Sequence, residues 1–194
     1  MKPAEANHDP RAAVLDELLI LRFQSGESVA LDTLASRWNA RLFRHACRLT
    51  RDRELASDAL QDAWLAIARG LHRLQDPTRF PGWAHRIVAN KCRDAIRKLQ
   101  RRRRLTEEIA QEPKAEAMPP FVEPSVDPRL AALRAAMAAL PDDRRMLLSL
   151  FYLEQMNVDQ IALALDLPAG TVKSRLFYCR RKLRAAIEHS SETT

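Results

Sequence analysis

The stretch VDQIALALDLPAGTVKSRL, from Val158 to Leu176, decides how this 194-residue chain folds. Ile161, Ala162 and Leu165 give a short helix one apolar face, and the small Ala162 permits a close helix crossing. Just ahead of it, Asn157 with Gln160 three residues on has the pattern of a capping box. Asp166-Leu167-Pro168 then interrupts the chain, with Asp166 where such turns usually place glycine. Asp tolerates the left-handed conformation better than most residues. Val172 and Leu176 restart a helical stripe. This is a helix-turn-helix pattern, in which the second helix presents its N-terminal residues to base edges in the major groove. Those residues are Thr171, Lys173, Ser174 and Arg175, donors suited to bases and phosphates, and Tyr178 completes the candidate set. Six basic residues and no acid lie between Lys173 and Arg184. Alone, such a run reads equally as a solvated helix face; behind a helix-turn-helix it reads as phosphate-contacting.

Working outward, Pro141 suits the first turn of a helix running through Leu153. Further back, Leu31, Leu34, Ala35, Trp38, Leu42, Ala46 and Leu49 follow the spacing of one buried helix face. Leu55, Ala59, Ala63 and Ile67 repeat it, and Ile87, Cys92, Ile96 and Leu99 mark another helix. No segment alternates with period two, so an all-α fold is expected. Charge divides this helical chain. Residues 1–104 carry +9 and residues 128–187 carry +5, whereas residues 105–127 carry −5 with four prolines and no apolar period. Two small helical domains joined by a flexible acidic linker is the organisation this implies. The expected boundaries are a flexible N-terminal tail over 1–16, a domain over 17–104, the linker over 105–127, a domain over 128–187 and a tail over 188–194.

Within the first domain, residues 80–99 read FPGWAHRIVANKCRDAIRKL. On a helix starting near Trp83, Arg86, Asn90, Arg93 and Arg97 share one face, with Ile87, Ala95 and Ile96 towards the other. Cations can hold a nucleic-acid backbone while Asn reads a base edge; Lys91 belongs to the same candidate set. Residues 72–81, HRLQDPTRFP, form a polar loop ahead of it that suits unstacked bases. Phe80 and Trp83 read either as part of that surface or as core aromatics. A third group is Asp58, Gln61 and Asp62 on one helix face, with Leu60 and Trp64 taken as its apolar, outward-leaning neighbours. Carboxylates at i and i+4 without histidine make a poor metal site, so the group reads as a protein-docking surface or a plain solvated face.

Several classes of function lose support. The four glycines are isolated, so no phosphate-cradling glycine loop can be written. Cys47, Cys92 and Cys179 are far apart and odd in number, which suits buried thiols in a reducing compartment better than disulfides or zinc. The literal Glu5-x-x-His8 stands alone in the expected tail. No apolar run approaches the ~18 residues of a membrane span, and the opening MKPAEANHDPRAAVLDELL lacks the apolar core of a signal peptide. No catalytic constellation, metal site or cofactor is expected, and the protein is expected in the cytoplasm, without membrane insertion.

In order and separation, these segments resemble the extracytoplasmic-function sigma factors of bacterial RNA polymerase. Residues 17–104 resemble sigma region 2, with Asp58, Gln61 and Asp62 at the family's core-binding helix and Phe80, Trp83, Ile87, Asn90, Asp94 and Arg97 at its second signature. Ala84 stands where the family often has Leu. Residues 128–187 resemble region 4, through Leu140-Pro141 and Gly170-Thr-Val-Lys-Ser-Arg175. The resemblance implies a non-enzymatic alternative sigma factor whose partners are the core polymerase (beta and beta-prime subunits), promoter DNA and an anti-sigma factor. Asp58, Leu60, Gln61, Asp62 and Trp64 would dock on the polymerase. Phe80, Trp83, Arg86, Asn90, Lys91, Arg93 and Arg97 would hold the melted −10 strand, and Thr171, Lys173, Ser174, Arg175 and Tyr178 would read the −35 element. The acidic linker would lie in the polymerase's basic RNA-exit channel. A different class remains open at this point: a stand-alone helix-turn-helix regulator whose first domain dimerises or senses a signal. The stripe Arg86–Asn90–Arg93–Arg97 argues against it, because a sensing domain needs no second nucleic-acid face.

Overall fold

A computed structural model describes residues 10–107 and 127–192, and among these the chain is helical, with no strand. It divides into two compact units. The first holds α1 (Pro10–Gln24), α2 (Val29–Thr50), α3 (Arg53–Leu71), a 3-10 turn (Pro77–Arg79) and α4 (Phe80–Glu107). The second holds α5 (Pro128–Ala138), α6 (Asp142–Tyr152), α7 (Val158–Leu165) and α8 (Ala169–Glu192).

In the first unit, α2 buries Leu34, Trp38, Leu42 and Ala46, the face its spacing predicts. Against it α3 sets Ala56, Ala59 and Ala63, small residues that let the helix axes approach closely, together with Ile67. The third wall is α4, through Phe80, Ala84, Val88 and Cys92. Local signals set the helix ends. Arg51 closes α2 in the left-handed region (φ 56°), and the Asp52 carboxylate then accepts the Leu55 N–H at 3.0 Å to open α3. The Gln24 side-chain amide donates to the Leu71 and Leu74 carbonyls at 2.9 and 2.8 Å, satisfying groups that the end of α3 leaves open.

Four expectations are corrected here. The N-terminal tail does not extend to residue 16. Helix α1 begins at Pro10, because Leu19 and Ile20 are buried and the Asp16 carboxylate accepts from Arg37 Nε (2.7 Å) and Trp38 Nε1 (3.0 Å). Residues 1–9, with Glu5 and His8, lie outside the described residues. Helix α4 starts at Phe80 rather than near Trp83: the Asp76 carboxylate caps the preceding turn through the Thr78 N–H, and Pro81 in the first turn has no N–H that needs a partner. Phe80 and Leu60 both point inward; each is buried, Phe80 edge-on to Trp38 with centroids 5.2 Å apart. At the other end, α8 continues through residues 188–192 of the expected C-terminal tail. The linker falls almost wholly on residues 108–126, outside the described residues.

The second unit is built around Leu147, Leu150, Met156, Ile161, Val172, Leu176 and Cys179. Both halves of the Asn157–Gln160 capping box form, at 2.8 and 3.1 Å. Asp166 takes the left-handed conformation, φ 57° and ψ 49°, and its N–H and that of Leu167 both reach the Ala162 carbonyl. The chain therefore leaves α7 sharply, and Val172 and Leu176 of α8 are buried in the same core as Ile161 and Ala164 of α7. Cys92 and Cys179 are buried and Cys47 half-buried; burial pushes the Cys92 thiol up to about 11, with Cys47 adding to it.

Candidate nucleic-acid interface

The register of α8 is set by its buried side. With Val172, Leu176 and Cys179 inward, Lys173, Ser174, Phe177, Tyr178 and Arg181 are left on the open face. Thr171 and Arg175 are half-buried at its border. Ser174 Oγ donates to the Thr171 carbonyl at 3.0 Å. Arg175 Nη1 and Arg144 Nε each lie 3.3 Å from the same Asp143 carboxylate oxygen. The Arg144 and Arg181 guanidinium groups each sit 5.9 Å from the Tyr178 ring centroid, so cations brace that ring. The basic run is not one uniform face: Arg180 packs over Phe151 at 4.7 Å and donates to Tyr152 Oη at 2.9 Å. Its role is to join α8 to α6. Phe177, which the sequence reading did not single out, is 67% exposed in the middle of the open face. An apolar ring among donors at that place fits the methyl group of a thymine.

On α4, Asn90, Arg93 and Arg97 are exposed and Arg86 and Lys91 half-buried, and Ile87, Ala95 and Ile96 are partly covered on the other side. The stripe therefore exists as a surface. Trp83 borders it half-buried; a Cβ at Gly70 would lie 2.9 Å from its Cζ2, so glycine is what lets the indole approach α3 this closely. Behind the stripe is an unusual buried pair. His45 and His85 are fully enclosed, their ring centroids 4.7 Å apart at 68°, and the His85 Nδ1 is 2.8 Å from the Pro81 carbonyl. Neither nitrogen of the His45 ring has a hydrogen-bond partner. Burial, and then the positive potential of His85 and Arg48, hold His45 well below the usual histidine range, against a smaller opposing influence from the His85 backbone.

On α3, Asp58, Gln61 and Asp62 are exposed. Their apolar companion is Leu65 (53% exposed), at i+3 from Asp62, and not the buried Leu60. Trp64 is half-buried, its Nε1–H donating to Asn39 Oδ1 at 3.0 Å. The α3 and α4 groups thus lie on the exposed sides of two helices that contribute to one core. Among the described residues no three His, Cys, Asp or Glu side chains come together as a metal site, and no helix is long and apolar enough to cross a membrane.

Comparison with known proteins matches both units. Residues 34–102 match the family Sigma-70 region 2 and residues 130–183 match Sigma-70, region 4. The ECF RNA polymerase sigma factor SigE of Mycolicibacterium smegmatis is 32% identical over 87% of this chain and 67% of its own length. SigM of Mycobacterium tuberculosis H37Rv is 30% identical over 87% of this chain and 82% of its own. Among solved structures, CnrH in complex with the cytosolic domain of CnrY aligns with a TM-score of 0.59 at 25% identity, covering 90% of this chain and 98% of that one.

Proposed function

Because the chain belongs to the extracytoplasmic-function sigma factors of the sigma-70 family, and so acts with RNA polymerase in transcription initiation, we propose the residues through which it does so. The first unit, 17–104 with α1 added, acts as region 2, and residues 128–187 act as region 4. Asp58, Gln61, Asp62 and Leu65, with Trp64 held by Asn39, form the surface that docks on the polymerase core. An apolar centre ringed by polar groups is what such a surface requires. Leu60 supports it from the core side.

Asn90, Arg93 and Arg97, bordered by Trp83, Arg86 and Lys91, hold the melted strand of the −10 element. The exposed loop residues His72, Arg73 and Gln75 lie ahead of α4 and suit an unstacked base. Phe80 contributes by fixing where α4 starts. In region 4, Thr171, Lys173, Ser174, Phe177 and Tyr178 read the −35 duplex, and Arg175 acts from the border where Asp143 holds it. The acidic linker lies along the basic RNA-exit channel. The protein works in the cytoplasm by binding, without chemistry of its own. An anti-sigma factor holds it inactive, a reading supported by CnrH having been solved with the cytosolic domain of CnrY.

The single observation that carries the assignment is the presence of two nucleic-acid faces of different character on separate units. One is a cationic stripe around an exposed Asn, suited to single strand; the other is a donor-rich helix-turn-helix face, suited to a major groove. A stand-alone regulator is not favoured, because the first unit matches region 2. The test is run-off transcription with purified core polymerase on a cognate promoter. Asn90→Ala should slow open-complex formation while core binding is retained; equal loss of both would remove the role given to Asn90.

A further inference from the structure

Helix α1 does more than cover the core, because it holds both ends of the loop that precedes α4. At the near end the half-buried Gln24 amide donates to the Leu71 carbonyl at 2.9 Å and to the Leu74 carbonyl at 2.8 Å. One side-chain amide carries two N–H donors, so this pair of bonds uses both. Between the two carbonyls lie His72 and Arg73, which are exposed. The Phe23 ring lies against the His72 imidazole, with centroids 4.4 Å apart and planes at 31°. At the far end, α1 packs against the 3-10 turn Pro77–Arg79. There the Trp38 indole N–H donates to the Asp16 carboxylate at 3.0 Å, and the same indole receives Phe80, the first residue of α4, edge-on. Gln24 is 47 positions from Leu71, so the loop's own sequence does not set this part of its path.

We propose that Gln24 is a positioning residue for strand capture: by tying the backbone on either side of His72 and Arg73, it holds the loop in the conformation that receives an unstacked base. The proposal rests on the assignment of that loop and α4 to the −10 strand. Gln24 itself touches no DNA and acts only through the Leu71 and Leu74 carbonyls. The physical basis is pre-organisation. A free loop loses backbone freedom when it closes on a base, and that loss subtracts from binding. A loop already tied to α1 has lost the freedom on folding. If releasing it leaves about one conformer in ten competent, the apparent affinity for the base falls about tenfold. Phosphate contacts from Arg93 and Arg97 do not pass through the loop and carry no sequence preference. The loss therefore falls on discrimination between sequences, and general affinity for single strand is kept.

The test uses full-length protein bound to core polymerase and two fluorescent single-stranded oligonucleotides. One carries the non-template −10 sequence of a cognate promoter; the other has the same bases scrambled. The wild type should prefer the first. Gln24→Met keeps the length of the side chain but cannot donate. It should lose most of that preference, a fall of up to about tenfold, while binding core polymerase and the scrambled strand as the wild type does. Hydrogen exchange should quicken at the amides of residues 72–79 and stay unchanged in α2. As a control, Asp52→Ala removes the cap of α3 and weakens the same unit without touching the loop. It should keep the wild-type preference. An undiminished preference in Gln24→Met would overturn the proposal. So would equal weakening on both strands, or an equal loss of preference in Asp52→Ala, because the effect would then follow stability and not loop geometry. Absence of any preference in the wild type would instead overturn the −10 assignment beneath it.

Discussion

Acid should unfold the first unit selectively, and the buried His45 ring sets the size of the effect. In the folded state the ring is enclosed without a hydrogen-bond partner and its proton affinity is depressed, first by burial and then by His85 and Arg48. The groups that act on the ring are His85 of α4 and Arg48 of α2, and no carboxylate is among them. Unfolded, the ring titrates near 6.5. The unfolded chain therefore binds more protons below that pH, and folding stability must fall as pH falls. The contribution is fully present above about pH 6.5 and is lost progressively from there down to the lowered folded value. Between pH 7.5 and 5.5 linkage bounds the loss from His45 at about 1–2 kcal/mol, the limit being set by the unfolded ring alone. For a unit of this size that bounds the fall in Tm at roughly 10 °C. All three tryptophans, Trp38, Trp64 and Trp83, lie in this unit, so tryptophan fluorescence reads its melting without interference from the other. His45→Leu, which puts a non-titrating side chain of similar volume in place of the imidazole, should flatten Tm against pH by up to that amount over the window. Parallel curves for wild type and His45→Leu would refute the reasoning, because the proton uptake would then arise elsewhere.

Leu65→Ala should weaken core-polymerase binding by about 1 kcal/mol with Tm unchanged, whereas Leu60→Ala should cost about 2–5 kcal/mol of folding stability; titration against core enzyme and thermal melts separate the two. Phe177→Ala should weaken binding to thymine-containing −35 duplexes by about 1 kcal/mol while folding stability stays within about 0.5 kcal/mol, read by fluorescence anisotropy and melting. Asn157→Ala removes the side-chain arm of the capping box, leaving the residue-157 N–H on the Gln160 side chain, and should destabilise the second unit by about 0.5–2 kcal/mol in chemical denaturation followed by circular dichroism, with the first unit's tryptophan melt unmoved.

These expectations differ in how far sequence alone reaches. The helix-turn-helix is legible because its determinants are local. The Asn157 cap, the left-handed Asp166 and the Val172–Leu176 restart act within a few residues, through hydrogen bonds and backbone sterics that neighbouring elements do not alter. The α4 stripe is legible for a similar reason, since charge at helical spacing names a face without naming what lies behind it. Leu60 and Phe80 are not legible. Each sits at the edge of an apolar arc, and whether it turns inward depends on which two helices flank it: α2 and α4 enclose α3, and Trp38 of α2 receives Phe80. Helix α1 escaped for a different reason. Apolar residues surround it, with Leu19 and Ile20 buried while Val14, Leu18 and Leu21 stay exposed, so no single face marks its start and the Asp16 bonds to α2 become its anchor.

By itself, the sequence determined the all-helical class, the split into two basic units around an acidic connection, and the two cationic faces that the proposed function assigns to nucleic acid. Periodicity, caps and charge are properties of neighbouring residues along one chain. Only the tertiary structure decided that Leu65 rather than Leu60 faces outward, and that Arg175 and Arg180 are tied to α6 while Phe177 stands on the open face. It alone enclosed two histidines side by side in the core, with neither nitrogen of the His45 ring hydrogen-bonded. Those outcomes depend on packing between residues far apart in the chain, and in a close-packed interior the partner's shape and charge select among the faces that a helix offers.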